Sequence, residues 1–169
     1  MLNETEYFFA AKKKKIAGLL SDYVYTKLLA EANANNSSVE SYSSTLSFVC
    51  YNKINGKIMT FIIGDSLVYT ISQGNLSLAC TPKVFDNSKT YTTTTKGVAD
   101  VTEINVIPNA ENVRYLLATD GAWKTFYSCG ALSDEAELAV KDENIISYLE
   151  NQQCMDDCSI VMMDITKGA

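Results

Sequence analysis

The sequence predicts an α+β fold with layered antiparallel sheets. Three observations predict this class: a helical apolar pattern opens the chain, two hairpin-type turns separate four apolar runs, and the last third mixes strand-like and helix-like segments. At 169 residues the chain has the length of one domain. We therefore expect residues 1–169 to form a single domain, helical over its first 35 residues or so, then rich in strands, with helices near the C-terminus.

The first element is a long amphipathic helix. From Glu4 to about Asn33 the apolar residues recur at helical spacing, and Gly18 is the one weak point. This pattern predicts either one continuous helix or two helices that meet near Gly18. The following segment, Ala34 to Ser44, is rich in Asn and Ser, which is typical of a polar loop.

Four apolar runs follow the loop and predict two β-hairpins. They are Thr45–Ile54, Lys57–Ile63, Leu67–Ser72 and Asn75–Cys80. The pairs Asn55-Gly56 and Gln73-Gly74 separate the runs, and such pairs favour tight hairpin turns because the central residues must accept positive φ. We expect the four strands to form one antiparallel meander.

The second half of the chain alternates strands and helices. The Thr-rich stretch from Thr81 to Lys96 is expected to be a loop or a ragged strand. The predicted elements after it are the strands Val101–Ile107 and Tyr115–Thr119, the helices Ala122–Ser128, one that Ser133 caps, and Glu143–Asn151, and a final strand Ser159–Ile165.

Composition limits the partners and the compartment. The net charge is −6, from 14 basic and 20 acidic residues, so nucleic acid is not expected as a partner. The basic run Lys12–Lys15 is expected to be a solvated helix face. No early apolar stretch resembles a signal peptide and no run of eighteen apolar residues could span a bilayer, so we expect a cytoplasmic protein without a membrane partner.

Five cysteines and no histidine restrict the chemistry. The odd number and irregular spacing of the cysteines favour reduced thiols. Cys154 and Cys158 are close in sequence, but they would be too few ligands for zinc. The lack of histidine excludes Ser-His-Asp triads and Cys-His dyads, so any catalysis must depend on carboxylates, hydroxyls or a bound metal.

Three aspartates occupy the same kind of position at strand ends. Asp65 follows one apolar run, Asp120 follows another, and Asp156 precedes the last. Gly64 and Gly121 allow tight turns beside them, so the three carboxylates could converge on a hard cation such as Mg²⁺ or Mn²⁺. Each aspartate could instead only cap a turn or a helix, and the pattern alone leaves both interpretations open.

Four segments lie in series along the chain: residues 44–47, 61–66, 116–123 and 156–161. Together they resemble the protein phosphatase 2C family of metal-dependent serine/threonine phosphatases. Ser44-Thr45 entering a strand is similar to the family's Gly-Ser/Thr-Thr segment. Gly64-Asp65-Ser66 looks like its Gly-Asp-Ser motif, and residues 119–123, Thr-Asp-Gly-Ala-Trp, match its Ser/Thr-Asp-Gly-Leu/Ile-Trp motif. Residues 156–161, Asp-Asp-Cys-Ser-Ile-Val, match its Asp-Asn/Asp-x-Ser/Thr-x-Val close. The resemblance covers about Glu4 to Ile165.

The resemblance implies an antiparallel β-sandwich flanked by helices on both faces, with two Mn²⁺ or Mg²⁺ ions at one end. Metal-activated water would hydrolyse phosphoserine or phosphothreonine in a protein substrate. By motif, Asp120 and Asp156 would bind the metals of that centre, and Asp65 with Asp120 would hold an additional metal. Gly64, Ser66, Gly121 and Asp157 would support the site. No catalytic residue beyond the metal ligands is expected.

The chain departs from the family pattern at its beginning. It lacks the N-terminal portion that carries the Asp-Gly-His-Gly-Gly motif, whose aspartate bridges both metals, and it has no histidine to act as general acid. Its only arginine, Arg114, precedes the Asp120 strand instead of lying at the family's phosphate-binding position, so we expect it to make a surface contact.

Three functional hypotheses follow from the sequence. The chain is a metal-dependent phosphatase domain, or a catalytically degenerate phosphatase-like module that binds or regulates a protein partner, or a fold in which the aspartates are only turn residues. Incomplete sheets would also leave strand edges unpaired, so we expect a homo-oligomer or a partner contact along an open edge.

Overall fold

A computed structural model of the chain describes residues 4–54, 56–80, 90–95, 97–98, 102–107, 113–128, 131–154 and 156–166. The described residues form two antiparallel sheets with helices on both sides, as the sequence predicted. Within this part of the chain, no helix has both the length and the apolar character needed to cross a bilayer.

One sheet contains three strands and the other contains four. The strands are β1 Leu46–Asn52, β2 Lys57–Ile63, β3 Leu67–Ser72, β4 Asn75–Cys80, β5 Glu103–Ile107, β6 Val113–Ala118 and β9 Ile160–Ile165. The three-stranded sheet has the order β1-β2-β5, and the four-stranded sheet has the order β4-β3-β6-β9. Two further strands, β7 Tyr127–Ser128 and β8 Ala131–Leu132, pair as a small separate hairpin.

Four α-helices and two short 3-10 helices complete the described elements. The α-helices are α1 Glu4–Ala34, α2 Asp120–Trp123, α3 Asp134–Lys141 and α4 Ile145–Glu150. The 3-10 helices are Val39–Tyr42 and Lys124–Phe126. The first of these lies within the predicted polar loop, and α1 continues through Gly18 without a break.

Three apolar clusters define the layers. Between the sheets, Ile62 of β2 packs with Val68 of β3 and Tyr115 of β6. The opposite face of β2 presents Phe61 to Ala17 of α1. The remaining cluster joins the outer faces of β3 and β6 to α3 and α4, and it contains Tyr69, Leu116, Ala136, Ala139 and Ile145. The order of layers is therefore helix, sheet, sheet, helix.

Strands β2, β3 and β6 are apolar along most of their length because both of their faces are covered. In β3, for example, Val68 faces the other sheet while its neighbour Tyr69 faces α3 and α4, and both side chains are about 1% exposed or less. Successive side chains of a strand point to opposite faces, so a strand buried on both sides gives a continuous apolar run.

The predicted meander is wrong at one connection. β1 pairs with β2, and β3 pairs with β4, but β2 and β3 belong to different sheets. The turn at Gly64 takes the chain from one sheet to the other. Gly64 has a φ of +105°, and a Cβ there would lie 2.5 Å from Cγ2 of Thr45, so this crossing depends on glycine.

The segment after Asp120 also differs from its prediction. The expected helix Ala122–Ser128 is instead α2 followed by a 3-10 helix and the short strand β7. The predicted cap at Ser133 is correct, since its hydroxyl accepts a hydrogen bond from the amide of Ala136 at the start of α3.

The cysteine prediction needs correction. Cys154 and Cys158 form a disulfide, whereas the sequence favoured reduced thiols throughout. Their Cα atoms are 6.6 Å apart, within the usual range for a disulfide. Cys50 and Cys80 are free, and Cys129 lies outside the described residues.

Candidate metal centre

The strand register places the three predicted aspartates at the same end of the four-stranded sheet, where β3 begins, β6 ends and β9 begins. Leu67 at the start of β3 pairs with Ala118 at the end of β6, and Ala118 pairs with Ile160 at the start of β9. Asp65 comes just before β3, Asp120 comes just after β6, and Asp156 comes shortly before β9. Antiparallel pairing thus brings together residues that are distant in sequence.

Asp65 lies in the turn between the two sheets. Its carboxylate Oδ2 accepts a hydrogen bond from the hydroxyl of Thr90 at 2.8 Å. The next residue, Ser66, is buried, and its hydroxyl lies 3.4 Å from that of Thr45. The Ser44-Thr45 and Gly64-Asp65-Ser66 segments, which the sequence singled out separately, are therefore in contact.

Asp120 begins α2, where a negative charge is favourable because free amide groups of the first helical turn point toward it. Its Oδ2 accepts a hydrogen bond from Nζ of Lys124 at 2.8 Å. This hydrogen bond is the main cause that lowers the pKa of Asp120 below its ordinary value. The carboxylate is therefore ionised at neutral pH.

Asp156 lies in the segment that precedes β9 and is exposed. Its Oδ1 accepts a hydrogen bond from the backbone amide of Asp157 at 2.8 Å. The segment is fixed against β6 through Thr119, whose hydroxyl donates to the carbonyl of Asp157 at 3.2 Å and accepts from the amide of Ser159 at 3.0 Å.

Gly121 allows the segment of Asp156 to lie against α2. A Cβ at this position would be 2.5 Å from the carbonyl oxygen of Asp157 and 3.0 Å from that of Asp156. A side chain here would therefore displace the backbone that carries the predicted ligand. The glycine of the Asp-Gly motif has a packing role beside the site.

Trp123 joins α2 to the turn of Asp65. Its indole Nε1 donates a hydrogen bond to the backbone carbonyl of Asp65 at 2.8 Å. Nζ of Lys124 lies 5.8 Å from the centroid of the same ring. The three carboxylates and one ammonium group consequently share one end of the sandwich around α2.

The residue types fit a hard divalent cation, because carboxylate oxygens are the ligands that Mg²⁺ and Mn²⁺ prefer. Each of Asp65, Asp120 and Asp156 uses one oxygen in the contacts above, and a carboxylate has about four acceptor positions, so each retains capacity to bind an ion. Among the described residues, however, no three acidic or cysteine side chains are close enough to share one ion.

Two residues that contribute to this site were not expected from the sequence. Lys124 forms the ion pair with Asp120, and the spacing of four residues between an acid and a lysine was the available signal. Thr119 holds the segment before β9; the sequence marked it as the first residue of the Thr-Asp-Gly-Ala-Trp match but gave it no role in the site. Arg114, as expected, makes a surface contact, a 2.6 Å ion pair with Asp164 on the neighbouring strand.

The sequence pattern of the protein phosphatase 2C family matches residues 3–157. This match covers most of the chain, so the chain belongs to the protein phosphatase 2C family. No curated protein sequence matches the chain significantly.

Solved phosphatase structures have the same fold. The catalytic domain of PstP in complex with 2 manganese ions is 18% identical over 85% of this chain and 67% of its own, with a TM-score of 0.57. The S. agalactiae serine/threonine phosphatase is 15% identical over 90% of this chain and 72% of its own, with a TM-score of 0.58.

A third similar structure is the phosphatase domain of SpoIIE from Bacillus subtilis, presoaked with manganese. It is 11% identical over 77% of this chain, with a TM-score of 0.53, and this chain spans 60% of that domain. At these identities the three structures show the fold, which here is that of phosphatase 2C domains.

Proposed function

We propose that this chain is a divalent-metal-dependent phosphatase domain that hydrolyses phosphoserine or phosphothreonine in protein substrates. One observation carries the proposal: the register of β3, β6 and β9 brings Asp65, Asp120 and Asp156 to one end of the sandwich. The family membership and the manganese ions of the similar PstP structure support it.

In this proposal Asp120 and Asp156 hold Mn²⁺ or Mg²⁺, and Asp65 with Asp120 holds an additional ion. Gly64 and Gly121 allow the backbone to turn and pack beside the ligands, while Ser66 and Asp157 support the two loops. A bound divalent cation supplies a Lewis acid that activates water and offsets charge on the phosphoryl oxygens, so no protein nucleophile is required.

The chain's own residues position the ligands. Trp123 fixes the turn of Asp65 through its indole hydrogen bond, and Thr119 fixes the segment of Asp156 through its hydroxyl. Thr119 immediately precedes Asp120, and Trp123 is the last residue of α2. This one short element therefore sets the relative positions of all three carboxylates.

The proposal is tested by Mn²⁺-dependent hydrolysis of a chromogenic phosphate ester, with Mn²⁺ titration calorimetry in parallel. Activity that requires Mn²⁺ and is lost in Asp120→Asn would support a working metal centre. A protein that neither binds Mn²⁺ nor hydrolyses the ester would contradict the proposal, provided that circular dichroism shows it to be folded.

A second candidate function is a phosphatase-like module that binds or regulates a protein partner without catalysis. The Lys124–Asp120 ion pair favours it, because this contact already neutralises one predicted ligand. A folded protein that neither binds Mn²⁺ nor hydrolyses the ester in the same experiment would support this alternative. Mn²⁺ binding without turnover would instead indicate a catalytically incomplete phosphatase domain.

A further inference from the structure

We infer that the ammonium group of Lys124 competes with the divalent metal for the carboxylate of Asp120 and thereby sets how tightly the domain binds Mn²⁺. This inference rests on the proposed function, since it concerns the same carboxylates. It goes beyond that function because it assigns control of metal affinity to a residue that is not a ligand.

The position of Lys124 supports the inference. Its Nζ is 2.8 Å from Oδ2 of Asp120, a distance typical of a charge-assisted hydrogen bond. A cation bound by that oxygen would have to displace the ammonium group. The Lys124 side chain is 59% exposed, so it can turn away toward solvent when an ion replaces it.

A second contact keeps the ammonium group at the site. Nζ lies 5.8 Å from the centroid of the Trp123 ring, within range of a cation–π interaction. The same ring donates its indole hydrogen bond to the backbone carbonyl of Asp65 at 2.8 Å, so the ring beside the ammonium group is itself fixed to the turn of a second predicted ligand.

Lys124 acts against the metal in two ways. It occupies a carboxylate oxygen, and its positive charge repels an incoming cation. An exposed ion pair and a screened repulsion are each modest, so together they should weaken Mn²⁺ binding by about three- to tenfold.

The test is Mn²⁺ titration calorimetry on the full chain and on Lys124→Gln, with Lys124→Arg to retain the charge. Lys141→Gln is a matched control, because Lys141 forms an ion pair of the same spacing with Glu137 at 2.6 Å on α3, outside the site. The rise in melting temperature that Mn²⁺ produces provides a second measurement that does not depend on activity.

We expect Lys124→Gln to bind Mn²⁺ about three- to tenfold more tightly and to show a larger Mn²⁺-induced rise in melting temperature. Lys124→Arg and Lys141→Gln should remain within about twofold of the unchanged protein. Equal affinities in the unchanged protein and in Lys124→Gln would overturn the inference while leaving the metal site intact. If neither protein binds Mn²⁺, both the inference and the proposed function are wrong.

Discussion

At the scale of single residues, the site depends on hydrogen-bonding side chains and on the absence of a side chain at Gly121. Lys124 and Thr119 contribute hydrogen bonds, whereas Gly121 contributes the space into which the carbonyl groups of Asp156 and Asp157 fit. The Asp-Gly motif thus places a predicted ligand and also allows a neighbouring segment to approach. The two functions can be separated by substitution.

Asp120→Asn and Asp156→Asn should each abolish detectable Mn²⁺ binding while changing the free energy of unfolding by less than about 1 kcal/mol. Both side chains are partly or fully exposed and contribute charge, not core packing. Calorimetry and urea unfolding measure the two effects. Asp22→Asn, on the exposed side of α1, is the control and should change neither; unfolding of either site variant would identify the aspartates as structural caps.

Gly121→Ala should destabilise the protein by about 1–3 kcal/mol and weaken Mn²⁺ binding. The added Cβ would meet the backbone carbonyl of Asp157 at 2.5 Å, so the segment before β9 must move. In Gly18→Ala, the control, the new Cβ meets nothing within 4 Å, and this variant should gain about 0.5–1 kcal/mol from helix propensity. Equal stabilities of the two variants, measured by urea unfolding, would contradict this account.

At the scale of elements, the strands that carry the aspartates are anchored by residues buried on both faces of the second sheet. Leu116 of β6 is 0% exposed and packs against α3 and α4, whereas Leu117 next to it is only half-buried. Phe48 of β1 and Trp123 of α2 are likewise only partly buried. Only Leu116 of these four is fully buried.

Leu116→Ala should therefore cost about 2–5 kcal/mol of unfolding free energy, because it leaves a cavity in a well-packed layer. Val161→Ala on the neighbouring strand is the control. Its side chain is 61% exposed, so the loss should be below about 0.5 kcal/mol. Chemical unfolding of both variants measures the difference, and a similar cost for the two would refute the assignment of the core.

Trp123 is half-buried, and its hydrogen bond connects α2 to the turn that carries Asp65. Trp123→Phe keeps an aromatic ring but removes the indole donor to the carbonyl of Asp65. We expect a loss of about 1 kcal/mol in stability and weaker Mn²⁺ binding, because the Asp65 turn is no longer fixed to α2. An unchanged calorimetric titration of this variant would show that the hydrogen bond does not position the ligand.

At the scale of the whole molecule, the sheets have edges as well as faces. β9 is the last strand of the four-stranded sheet, and no strand in the described part of the chain pairs with its outer side. Val161 on this strand is largely exposed. An open edge with an exposed apolar residue is a typical site for pairing with another chain.

We expect self-association through β9, detected as a molecular mass that rises with concentration in light scattering. Val161→Lys should reduce it, since a charged lysine on an edge strand opposes pairing. Leu138→Lys replaces a similarly exposed apolar residue on α3 and should have no effect. A constant monomer mass over a wide concentration range would rule out this edge contact.

The sequence by itself determined most of the elements. The predicted boundaries of β2, β3 and β4 agree with the structure, because runs of strand-forming residues that are bounded by short Gly-containing turns leave local signals. The family motifs also marked Asp65, Asp120 and Asp156, since the residue types and their positions at strand ends are visible without a fold.

The tertiary structure decided how these elements combine. The sequence could not show that the turn at Gly64 crosses between sheets, nor that the pair of Lys124 and Asp120 would lie at the same end of the sandwich as Asp65 and Asp156. Strand order and contacts between distant residues depend on packing of the whole chain, and local patterns carry little information about them. The strand ends were thus determined locally, whereas their convergence required the register of β3, β6 and β9.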